Sequence, residues 1–264
     1  MPELGLEALL LLVASAFLAG TVDAVVGGGG LIQLPALMLA FPTAAPVQLL
    51  ATNKLGSIAG TSMASITYYR RVKPDLRTAL PLAVAAFAGS AAGALVAFHI
   101  PRSAFNPIVL VALVVVGAYI VLKPDLGQME ALRHSGRTHY LAAAAVGAGV
   151  GFYDGALGPG TGSFLVFALV SWLGYAFLEA SAKARIANFA TNLAALVIFV
   201  PQGAVMWRAG LMIAVANLAG GYVGARIAVA RGARFIRIVF IVVVAAFAVK
   251  IGWDIAAPLV APLP

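Results

Sequence analysis

The chain has 264 residues, 62% of them hydrophobic and only 10% charged, with a mean hydropathy of +1.02 and a net charge of +8. A soluble domain carries roughly 25% charged residues, so this composition excludes a water-covered globule and indicates an all-α polytopic membrane protein; the apolar runs lack the period-two alternation of a membrane β-barrel. No cysteine is present, which excludes disulfides and thiolate sites, and the positive balance fits basic cytoplasmic loops rather than a nucleic-acid partner.

A membrane helix needs about 20 apolar residues. In chain order the predicted apolar segments are roughly 5–26, 31–41, 47–69, 78–98 and 104–122; a polar loop, 123–139, follows; then come roughly 140–157, 162–177, 181–200, 209–229 and 236–257. The N-terminus, MPELGLEALLLL, has no basic n-region, so it is expected to be retained rather than cleaved. Segments 31–41 and 162–177 are short for a span, and each follows a glycine-rich break: Gly27 to Gly30 behind Asp23, and Gly158-Pro159-Gly160-Thr161-Gly162 behind Asp154. In lipid, backbone that leaves the helix must be buried in protein or line a cavity.

These two breaks belong to a repeat. Asp154 lies 131 residues after Asp23, and the same offset takes Gly27 to Gly158, Lys54 to Arg185, Thr61 to Asn192, Gly89 to Gly220 and Gly93 to Gly224. The expected organisation is therefore a first transmembrane repeat (1–122), a cytoplasmic linker (123–139) and a second repeat (140–264).

The basic loops set the orientation. In the first half Arg70-Arg71-Val72-Lys73 and Arg77 follow segment 47–69, whereas the matching loop Pro201 to Arg208 carries a single arginine. One loop later the order reverses: Arg102 alone in the first half, but Arg231, Arg234 and Arg237 in the second. Positive loops stay inside, so the halves are expected to be inverted, each crossing an odd number of times, with eight to ten segments in all, some re-entrant or broken at the glycines. The linker, with Lys123, Arg133 and Arg137, is placed inside and both termini outside. Inverted repeats with broken helices are the common build of secondary transporters.

Three groups of residues could carry chemistry. A helix restarts after each break, near Leu31 and near Ser163, and a helix start offers free N–H groups and partial positive charge to an anion; Gly28, Gly29, Gly30, Gly160, Thr161 and Gly162 are the expected walls. Lys54 and Arg185, both inside apolar segments, would neutralise a small anionic substrate, with Thr52, Asn53, Thr61, Asn188, Thr191 and Asn192 offering hydrogen bonds; snorkelling to the interface competes for Lys54. Asp23 and Asp154 could pair with those cations, cap the glycine loops, or take up a proton during the cycle and so couple transport to protons.

Other chemistry is not indicated. No GxGxxG, P-loop, zinc spacing, paired carboxylates or Ser/His/Asp set stands out, so no cofactor, no metal and no enzyme activity is expected. His134 and His139 fall in the central loop and read as solvated, Lys183 reads as interfacial, and Tyr68, Tyr69, Trp172, Tyr175, Trp207 and Trp253 fall near segment ends, as interfacial belts do.

The stretches DAVVGGGGLIQLPAL (23–37), LATNKLGSIAGT (50–61), GFYDGALGPGTGSF (151–164) and ASAKARIANFATN (180–192) resemble the sulfite exporter TauE/SafE family, also called the 4-toluene sulfonate uptake permease family. The resemblance spans almost the whole chain and is nearest to the bacterial permeases whose second motif reads G-x-x-D-G-x-x-G-P-G-T-G. It implies a permease of the bacterial inner membrane for sulfite, sulfonates or related small organic anions; the residues alone reach only a small anion. A secondary transporter is the leading expectation, with the bilayer as its other partner and a homodimer left open. A channel-like anion pore, and an intramembrane receptor or enzyme, are the alternatives.

Overall fold

The structure is a computed structural model that describes residues 6–99 and 129–260, together with 111 and 114. Expected segment 104–122 apart from 111 and 114, the first part of the linker, and Arg102 and Lys123 lie outside the described residues. Among the described residues every regular element is helical: α1 (Leu6–Val26), α2 (Gly29–Ala40), α3 (Pro46–Val72), α4 (Leu76–Ala97), α5 (Gly136–Ala156), α6 (Thr161–Ala168), α7 (Phe177–Phe199) and α8 (Trp207–Val260). A π-helical turn, Leu169–Leu173, extends α6.

Two helices, α1 and α4, are by themselves long and apolar enough to cross a membrane. The others depart from that simple form for visible reasons. The 12 residues of α2 reach only about 18 Å, well under the roughly 30 Å of a hydrocarbon core. Gly29 sits against Ala19 and Asp23, so α2 turns back along α1. The polar residues of α3 (Thr52, Asn53, Lys54 and Thr61) are buried against protein rather than facing lipid. The 54-residue stretch α8 is not one rod: Gly232, at φ 75° and ψ −170°, breaks it between expected segments 209–229 and 236–257.

Helix ends carry the expected signals. Pro46 opens α3, and the Gln48 side chain accepts from the Ala45 N–H at 3.1 Å. Asp75 caps α4 by accepting from the Arg77 N–H and the Thr78 hydroxyl. Burial opposes ionisation of Asp75, but those two donors, the Lys183 charge and the Thr78 N–H together hold the carboxyl below its usual range.

Small residues bring the helices into backbone contact, as in other membrane bundles. Helix α1 packs on α8 and α4 on α5. A side chain on Gly220 would overlap Phe17 and one on Gly224 would overlap Thr21; in the other pair, Gly89 meets Ala148 and Gly93 meets Phe152. Each contact of one pair is the other shifted by the same offset, and residue numbers rise together along both pairs. Helix α3 also runs parallel to α8, with Leu55 on Gly210 and Gly60 on Gly221. Two apolar clusters flank the centre: one around Leu165, Phe177 and Phe240, the other around Leu12, Leu37, Leu49 and Phe199.

Four expectations need correction. His139 is not in a solvated loop: α5 starts at Gly136, and the ring is buried, its Nε2 lying 2.7 Å from the Tyr175 hydroxyl and 3.2 Å from Thr78 Oγ1. Lys183 is not interfacial; it is buried, pairs with Glu179 at 2.8 Å and lies 4.3 Å from the centre of the Tyr175 ring. Tyr68 is buried and donates to the Ala24 carbonyl. Tyr175 is buried as well, so neither belongs to an interfacial belt; Tyr69, Trp172, Trp207 and Trp253 are exposed, as a belt requires. Hydropathy counts one end of a segment as a surface, but the hairpins tuck some of those ends under neighbouring helices.

Candidate substrate site

The two glycine breaks meet at the centre. Helix α1 ends at Val26, and Gly27 leaves helical geometry at φ +92°; helix α5 ends at Ala156, with Gly158 at φ +90° and Gly160 at φ +80°. The left-handed region disfavours every residue with a Cβ, which is why glycine occupies these positions. Gly27 and Gly162 lie backbone against backbone. Ser163 fastens the two breaks, its N–H donating to the Gly27 carbonyl at 3.2 Å and its hydroxyl to the Val26 carbonyl at 2.9 Å. The Tyr153 hydroxyl holds the second break through the Pro159 carbonyl at 2.6 Å.

The charged residues pair crosswise between the halves. Lys54 Nζ lies 2.5 Å from Asp154 Oδ2, and each side chain is only 2% exposed. Arg185 Nη1 lies 3.4 Å from Asp23 Oδ2 and donates to the Asp23 carbonyl as well. Asn188 Nδ2 reaches the same carboxylate at 3.4 Å, and Asp23 Oδ1 accepts the Gly29 N–H at 3.3 Å. Asp23 therefore joins the end of α1, the start of α2 and the middle of α7. A buried pair of this kind offers little net stability, but removing one partner strands the other.

Between these groups lies a cavity of about 10 Å³, lined by Asp23, Gly27, Gly30, Asn53, Lys54, Ser57, Asp154, Gly158, Gly160, Thr161, Gly162, Asn188 and Asn192. That space holds about one water. Lys54 at the lining and Arg185 behind it balance the two lining carboxylates, so an entering anion must compete with a carboxylate for a cation.

Most of the expected residues are brought together, though not all. Arg185 stands one layer back from the cavity, with Gly162 between. Its Nε and Nη2 are buried without a hydrogen-bond partner among the described residues. Gly28 and Gly29 do not line the space. Two N–H groups expected to be free are engaged, Gly29 by Asp23 and Ser163 by Gly27. Thr61 and Thr191 bond to carbonyls of their own helices. Thr52 accepts the Met206 N–H at 3.1 Å, away from the cavity. Replacing Thr52 by valine should therefore strand that N–H and cost about 1–3 kcal/mol, read as a lower melting temperature with substrate affinity unchanged.

Gly27 and Gly158 line the space though they were not among the expected walls, and the lining side chain that sequence reasoning missed is Ser57. It stands one turn beyond Lys54, and the repeat offset takes it to Asn188, a signal that was available. Asn53 also faces the cavity with its Oδ1 unpartnered.

The profile of the family described as "Sulfite exporter TauE/SafE" matches residues 12–251. The chain belongs to the sulfite exporter TauE/SafE family. It is 36% identical over 260 residues to "Probable membrane transporter protein ORF9" of Sinorhizobium sp., covering 98% of each chain. It is 34% identical over 240 residues to "Probable membrane transporter protein YfcA" of Escherichia coli K12, covering 90% of this chain and 87% of that one. A "Probable membrane transporter protein" of Haemophilus influenzae is 31% identical over 252 residues, with 96% and 97% covered. No solved structure matches the chain. As a member of the TauE/SafE family the protein is a membrane transporter.

Proposed function

We propose that the protein moves a small oxyanion, sulfite or an organosulfonate, across the inner membrane by alternating access of two inverted repeats, 1–122 and 140–264. The observation that carries this reading is the crosswise pairing of Lys54 with Asp154 and Arg185 with Asp23. Each half supplies one cation and one carboxylate to a centre closed to about 10 Å³. An oxyanion with several oxygens needs the halves to separate, and separating them loosens both pairs. Lys54, which lines the space, is the direct ligand in this scheme; Arg185 positions Asp23 and the break around Gly162. Asn53, Ser57, Asn188 and Asn192 would donate to the oxygens. A proton taken up by Asp154 would free Lys54 for the anion and keep the charge balanced, which couples transport to protons.

Two features support inversion. Helices α1 and α3 run parallel to α8, whose first part corresponds to α4. Helix α4 must return after a link of three residues, 73–75, so α4 and its counterpart run opposite ways. With the basic loops on the inside, this reading has the linker in the cytoplasm and both termini outside.

Purified protein in liposomes should show saturable sulfite or sulfonate flux that is accelerated by unlabelled substrate on the far side. Lys54→Gln should lower that flux at least tenfold. Uncoupled conductance without trans-acceleration would instead indicate a pore, and wild-type flux in the variant would remove Lys54 from the site.

A further inference from the structure

A second concave site lies away from the centre, on the lipid-facing seam between α3 and α8. It is a groove of about 210 Å³ lined by Met63, Ile66, Thr67, Arg70, Arg71, Tyr222 and Arg226. Three guanidinium groups converge on it from two helices, and none of its lining residues is acidic. Arg226 Nη1 donates to the Tyr222 hydroxyl at 2.7 Å, and its guanidinium lies 5.3 Å from the ring centre, so the side chain is held in place. Among the described residues no carboxylate pairs with Arg70, Arg71 or Arg226.

Snorkelling alone would not bring cations of two helices into one hollow. Arg70 and Arg71 occupy the last turn of α3, where a cation suits the helix dipole. Arg226 has no such reason, because it sits within α8 and about one turn deeper along the seam. Below the arginines the floor is apolar: Met63 is partly buried and Ile66 is 48% exposed. Tyr69, exposed beside Arg70, marks the level where headgroups begin. Cations above a greasy channel match one molecule in two parts, a phosphodiester and its acyl chain.

We infer that this groove binds an anionic phospholipid, with its phosphate on Arg70, Arg71 and Arg226 and an acyl chain along Ile66 and Met63. The chemistry is bidentate Arg–phosphate recognition, with Tyr222 fixing Arg226. Because α3 carries Lys54 and α8 comes from the other half, a lipid seated here spans the seam between the two halves.

The test uses the full-length protein in a neutral detergent, with melting temperature as the readout. Phosphatidylglycerol should raise it saturably, while phosphatidylcholine and inorganic phosphate at equal concentration should not. Arg70→Gln/Arg71→Gln/Arg226→Gln should remove the effect, and each single arginine should weaken half-saturation on the order of fivefold. If the triple variant does not fold, Arg226→Gln alone decides, since its side chain is exposed. Equal effects of phosphatidylcholine, equal effects of free phosphate, or an unchanged response in the variants would each overturn the assignment. The readout is binding, so its outcome is independent of whether the central site carries sulfite.

Discussion

Replacing Lys54 by methionine should cost about 3–5 kcal/mol, the penalty for leaving a buried carboxylate without its partner. Both side chains are almost fully buried, and Lys54 reaches Asp154 across the contact between the halves. The double substitution Lys54→Met/Asp154→Leu removes the stranded charge, and buried ion pairs replaced by apolar groups of similar volume are often neutral in stability. The expected result is a melting temperature near that of the unaltered protein in the double variant, far below it in the single one, and no anion flux in either. This pattern separates a binding role from a structural one. If the stable double variant still transports at the original rate, the pair only holds the helices and the anion site lies elsewhere.

Gly27→Ala is expected to be among the most damaging single-methyl changes at the described residues. Gly27 holds φ +92°, and an added Cβ would overlap the backbone of Gly162 and Ser163. Neither neighbour has a side chain that can swing away at the point of overlap. Backbone strain and overpacking together come to about 3–5 kcal/mol, and the hydrogen bond from the Ser163 N–H to the Gly27 carbonyl would go with them. Gly203→Ala is the control. It also has positive φ, +66°, but nothing stands within 4 Å of the added atom, so only the conformational cost of about 1–2 kcal/mol applies. Thermal unfolding of the two variants side by side measures the difference, and equal losses would mean that the two breaks do not pack as described.

Much of this architecture was legible in the residues. Scarce charge and long apolar runs settled the membrane class, because lipid tolerates few charges and soluble surfaces need many. The paired Asp and Gly-break pattern located both bends, and α2 and α6 start within two residues of the expected positions. Those features are local: a glycine run or an apolar stretch acts on the backbone around it, so its signal survives in one dimension. His139 shows the limit. Its neighbours Arg133, Ser135, Gly136 and Arg137 read as polar loop, yet the helix turns the ring inward to Tyr175 and Thr78.

What only the tertiary structure decided is which groups meet. Sequence alone determined that two carboxylates, two cations and two glycine breaks recur at one offset. It left open whether each carboxylate met its own half's cation or the other's, because that choice depends on helix rotation and on packing between segments far apart in the chain. Folding gives Lys54 to Asp154 and Arg185 to Asp23, sets Arg185 behind Gly162 rather than in the cavity, and turns Thr52 toward Met206 instead. The physical reason is close packing: Gly27 against Gly162 leaves one arrangement of the two breaks, and that arrangement places the cations.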